Sequence, residues 1–121
     1  MNILALVLAG CLAQGVGGEE FQETAQAWCD LGIAEAVYVE YDEEADRFTF
    51  NLTLNQEGYI QWIQNGKEIQ EDFLERTKKV SAIGTKVKMQ IRHKGDILYD
   101  CSNMFYETSD GLGFKATCEV R

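Results

Sequence analysis

The residues able to do covalent chemistry are few: four cysteines, Cys11, Cys29, Cys101 and Cys118, and a single histidine, His93. A thiol becomes a nucleophile when a base lies within hydrogen-bond reach, so one reading is a small hydrolase centred on Cys101 or Cys29 with His93. In an oxidising compartment the same thiols pair instead. Cys101 and Cys118 fall on the apolar parity of their strands, and neighbouring strands bring such residues within bridging distance. Cys101 with Cys118 is therefore the favoured disulfide, closing a loop of about 16 residues and contributing on the order of 3 kcal/mol. Cys29 then remains a buried thiol, with pairing to either strand cysteine as the alternative. One histidine rules out a multi-histidine metal site. The sequence has no Gly-rich phosphate loop, Cys-x-x-Cys pair or Ser-His-Asp spacing, so no catalytic residue, metal ligand or cofactor is assigned.

Three short segments resemble known patterns. Leu8-Ala9-Gly10-Cys11 closes an apolar run from Met1 and looks like a bacterial lipobox, which implies cleavage before Cys11 and acylation of its thiol. Leu12 to Gly18 would then be a tether, and membrane contact would come only through the lipid. The run is too short to span a bilayer but suits a signal peptide. The alternatives are plain secretion with cleavage after Gly15, and an Ile3 to Leu8 segment built into the fold. Asp100-Cys101-Ser102 resembles the start of the nucleophile motif of NlpC/P60 cysteine peptidases, although His93 precedes the cysteine here and Asn103 follows where that family has glycine. Gln14-Gly15-Val16-Gly17-Gly18 matches the Gln-x-Val-x-Gly loop of cystatin-type inhibitors, but lies ahead of the first helix. A secreted protease-inhibitor-like domain is accordingly a further reading. Asn51-Leu52-Thr53 has the pattern of a glycosylation acceptor.

Positioning any of these groups requires a core, and the composition supplies one. With 121 residues, 45% hydrophobic and 26% charged, the chain suits one soluble domain. Residues 1–18 read as an export signal or tether and residues 19–121 as a single α+β domain. Phe21, Ala25 and Trp28 mark a short amphipathic helix that Gly32 stops. Strand alternation over Val37 to Tyr41 and Phe48 to Leu54 predicts a hairpin across the acidic turn 42–46. Tyr59, Trp62, Ile63, Gly66, Ile69, Phe73, Thr77 and Val80 mark a long helix capped by Asn55 and broken near Gly66. Period two returns over Val87 to His93, and Lys94-Gly95-Asp96 turns the chain into Ile97, Tyr99 and Cys101. A last strand, Phe114 to Val120, follows an irregular stretch from Ser102 to Gly113. The order α-β-β-α-β-β-β predicts an antiparallel sheet of about five strands with both helices on one face.

The net charge of −9 argues against nucleic acid, which demands clustered Lys and Arg. Ten acids and no base occupy residues 19–46, while residues 76–94 hold seven of the eleven bases. Lys86, Lys88 and Arg92 share one strand face and are binding candidates for an acidic partner. Phe105 and Tyr106, in the loop from Met104 to Gly113, are apolar contact candidates. The expectation is a non-enzymatic cell-envelope or secreted domain that binds another macromolecule, with a protein as its partner; oligomeric state is not fixed by the sequence.

Overall fold

The computed structural model describes residues 11–80 and 86–121, with the backbone alone at 103–108 and 112. Eight elements follow one another: β1 (Ala13–Gly15), α1 (Glu19–Asp30), β2 (Ala34–Asp42), β3 (Arg47–Leu54), α2 (Gln56–Val80), β4 (Lys86–His93), β5 (Asp96–Thr108) and β6 (Gly111–Val120). The class is α+β as expected, but the sheet has six strands and is mixed. Its spatial order equals the chain order. The pairs β1/β2 and β3/β4 are parallel and the other three antiparallel.

Each parallel pair is joined by a helix, because a parallel partner can be reached only by a crossover. Both helices lie on one face: Trp28 of α1 packs 4.9 Å from Phe50 and 5.2 Å from Phe73 of α2, and Thr77 of α2 reaches the Met89 sulfur. Both crossovers step the same way across the sheet, yet β1 and β2 run opposite to β3 and β4. The two crossovers are therefore of opposite hand, so one is left-handed, against the strong general preference for right-handed connections.

The core is the single layer between helices and sheet. Val37 and Val39, Phe50, Leu52 and Leu54, and Val87, Met89 and Ile91 come from alternate positions of three central strands, and all are buried against Ala25, Trp28 and Phe73. Period two thus places these apolar residues on one side.

Helix α1 carries Glu19 and Glu20 in its first turn, where the helix dipole favours acids, and ends before Gly32, which has φ +80°. Asn55 caps α2 as predicted: its Oδ1 accepts from the Gly58 amide at 2.7 Å, and its Nδ2 donates to the Gly32 carbonyl. The expected break near Gly66 falls at Asn65, whose φ and ψ are −135° and 37°. The helical stripe differs from expectation at Ile63, which is 65% exposed. In the β4–β5 turn Lys94 and Gly95 both take positive φ, the type I′ geometry that matches strand twist.

Two expectations are corrected. Ser102 to Gly113 is not irregular: β5 runs unbroken to Thr108, and a two-residue turn at Ser109-Asp110 leads into β6 with Thr108 opposite Gly111. Its strand character was hidden because polar and apolar residues do not alternate cleanly there. The fold also reaches upstream of residue 19. Ala13, Gln14 and Gly15 pair with Val37, Tyr38 and Val39, and the Ala13 amide donates to Gln26 Oε1. Residues 1–10, including Ile3 to Leu8, lie outside the described part.

Candidate functional site

Register decides where each candidate residue stands. Cys101 and Cys118 are direct partners across β5 and β6 and form the favoured disulfide. The second disulfide corrects the expectation for Cys29, which bonds to Cys11 instead of remaining a thiol. This pairing comes from β1, which brings Cys11 over α1. A sulfur held in that bond cannot also carry an acyl chain, so the lipidation reading of Cys11 and the observed pairing exclude one another.

The hydrolase reading fails on the same facts. Both candidate nucleophiles are oxidised, and the ring of His93 stacks on Tyr59 with centroids 4.1 Å apart. The Gln14 to Gly18 segment is edge strand β1 and the turn after it. A Cβ on Gly15 would collide with the Val39 backbone, at φ +113°.

The face of the sheet away from the helices carries the polar parity of every strand. Tyr38 and Glu40 of β2, Arg47, Thr49 and Asn51 of β3, and Lys88, Gln90 and Arg92 of β4 line a trough of about 580 Å³, with Tyr41 and Asp42 at one end. In the middle of the sheet, Arg92 Nη2 donates to Gln90 Oε1 at 2.8 Å and Gln90 Nε2 donates to Asp100 Oδ2 at 3.4 Å. The same Asp100 oxygen lies 3.6 Å from Lys88 Nζ and 3.7 Å from Arg121 Nη2. Asp100 thus answers Lys88. Arg47 and Arg92 have no carboxylate within ion-pair distance among the described residues, and the Arg47 Nε is buried without a hydrogen-bond partner. A buried orphan donor of this kind calls for an acceptor.

Of the binding candidates, Lys88 and Arg92 meet in this trough; Lys86 is exposed at the start of β4. Phe105 and Tyr106 lie on β5 opposite Phe114 and Gly113, and their side chains are outside the described part. Arg47, Gln90, Asp100, Arg121 and Tyr38 were not singled out from sequence. Arg47 shares the polar parity of Thr49 and Asn51, a signal that was legible, whereas Arg121 reaches Asp100 only through strand register. Asn51 of the glycosylation pattern sits half-buried in the trough, in register with Tyr38 and Gln90.

The charge blocks that are separate in sequence are folded together. The acidic turn 42–46 lies at the same end of the sheet as Lys86, because Arg47 is in register with both Asp42 and Lys86. Glu23 of α1 lines one hollow with Arg76 and Lys79 of α2. The two charge blocks thus come close at these two places, and on the open face Arg47 and Arg92 are without an ion pair among the described residues. The described residues contain no helix long and apolar enough to cross a membrane and no group of His, Cys, Asp and Glu arranged to hold a metal.

Comparison of the chain with protein-family models, curated proteins and solved structures gives no match.

Proposed function

We propose that this protein is an exported, non-enzymatic domain that binds an acidic segment of another protein on the open face of its sheet. The observation that carries this reading is the pair Arg47 and Arg92, held on one rigid face without carboxylate partners while Lys88 is satisfied by Asp100. Carboxylates accept guanidinium hydrogen bonds in bidentate geometry, and Tyr38, 46% exposed in the same trough, supplies an apolar body with a polar tip. Export is supported by the two disulfides, which persist in oxidising compartments. The Cys11–Cys29 bond favours secretion with Cys11 retained in the mature chain over acylation of its sulfur, and equally over cleavage after Gly15, which would remove Cys11 and β1.

The test is calorimetric titration of the domain with a hexaglutamate peptide at low ionic strength. The expected result is saturable binding that R92A and R47A each weaken roughly tenfold or more, since hydrogen bonds to charged groups contribute about 1.5–3 kcal/mol. Binding should also weaken as salt is added. Absence of binding, or equal binding by an R47A/R92A double variant, overturns the reading.

A further inference from the structure

Strand β6 is the last of the sheet, with β5 on one side and no described strand on the other. We infer that this edge is where two copies of the chain pair, antiparallel about a two-fold axis at Thr117, joining two six-stranded sheets into one of twelve. Backbone chemistry permits it. Cys101 and Cys118 face each other with Cα atoms 4.1 Å apart, the narrow spacing of a non-hydrogen-bonded pair. The alternation therefore turns the amide and carbonyl of Cys118, and of Ala116 and Val120 on either side, away from β5 toward the open edge. With the axis at Thr117, Ala116 faces the partner's Cys118, so outward-turned groups meet outward-turned groups.

Side chains select that register. Lys115 and Glu119 are exposed on the helix-free face, equidistant from Thr117. An antiparallel pair centred there sets Lys115 against the partner's Glu119, and Glu119 against the partner's Lys115. These fall in the narrow pairs, where side chains approach most closely and opposite charges stabilise. On the helix side, Val120, 59% exposed in the single chain, meets the partner's Phe114. Moving the axis to Cys118 places Lys115 against the partner's Arg121, a like-charge contact. Moving it to Ala116 leaves Glu119 opposite the partner's Gly113.

Edge strands are commonly guarded by charge; here the two charges reward one register, and a shift of the axis either brings like charges together or leaves Glu119 without its partner. Glu119 is also held by Arg121 of its own chain, at 3.7 Å, an exposed contact that a closer Lys115 can displace. The net charge of −9 does not oppose the pairing strongly. The acid-rich span 19–46 ends in the turn between β2 and β3, three to four strand spacings or about 14–19 Å from β6, roughly two Debye lengths at physiological salt.

Sedimentation velocity of the oxidised domain without ligand, over a concentration series reaching the millimolar range, tests this independently of the acidic-peptide titration. The expected result is a reversible dimer that K115E and E119K each weaken roughly tenfold and that K115E/E119K restores. A116P, which deletes an outward amide and leaves the β5 ladder whole, should abolish the dimer while circular dichroism stays native. A chain that remains monomeric throughout, single charge swaps without effect, or a folded double swap that stays monomeric overturns the proposal.

Discussion

At Gly58, in the first turns of α2, a single missing methyl group is structural. A Cβ there would collide with the Ile33 carbonyl oxygen and press on Leu54, because this residue is where the helix backbone touches the loop entering β2. Gly58→Ala should therefore destabilise the domain by about 1–3 kcal/mol despite alanine's better helix propensity, read as a lowered denaturation midpoint. Two tyrosines should titrate late. Burial raises the Tyr99 pKa above 10, and for exposed Tyr41 the hydrogen bond to Asp46 at 2.6 Å is the first cause of a raised value, burial and nearby acids adding to it. Both side chains favour the neutral form when folded. Their contribution is present in full below pH 10 and is lost as pH rises through the higher folded values. In a spectrophotometric titration of the native protein, Tyr99→Phe and Tyr41→Phe should each remove a late-ionising phenol; loss of an early one instead would contradict the assignment.

At the scale of elements, two connections decide the fold. Asn55 closes the start of α2 with one hydrogen bond and ties it to the end of α1 with another. Asn55→Ala should cost about 1 kcal/mol or somewhat more, whereas Asn55→Asp, which keeps the capping oxygen, should recover most of it in a urea titration. Strand β1 has only three residues, too few to hold by ladder alone, and the Cys11–Cys29 disulfide fastens it across a sequence separation of 18. Replacing both cysteines by serine should lower stability by about 3 kcal/mol and raise amide exchange along β1 while β4 and β5 keep their protection. Mass spectrometry of the protein from its native host should find Cys11 present and disulfide-linked; a lipid-shifted mass would sink that expectation.

For the whole molecule, the helices and the open face divide the labour: one side of the sheet is sealed by Trp28 and Phe73, and the other presents a polar trough in which Arg47 and Arg92 have no carboxylate within ion-pair distance among the described residues. Screening predicts that the domain's affinity for a hexaglutamate peptide falls several-fold between low and physiological salt, while the salt dependence of R47A/R92A is nearly flat. A slope unchanged in the double variant would place the contact elsewhere.

The positions of α1, α2 and the β2–β3 and β4–β5 hairpins were legible in the chain because local periodicity and capping residues specify them: Trp28 and Phe73 on helical spacing, Phe50 and Met89 on strand spacing, Asn55 and Lys94-Gly95 as punctuation. Cys101 with Cys118 was legible for the same reason, since parity fixes which face a cysteine takes. What only the tertiary structure decided is everything that depends on which strands become neighbours. Parallel pairing of β3 with β4, the opposite hands of the two crossovers, the capture of Cys29 by Cys11 and the placing of Arg47 and Arg92 toward opposite ends of one trough all follow from long-range burial of one apolar face. No local signal in residues 11–16 or 47 encodes that choice, because side-chain alternation says which way a residue points and not what it points beside.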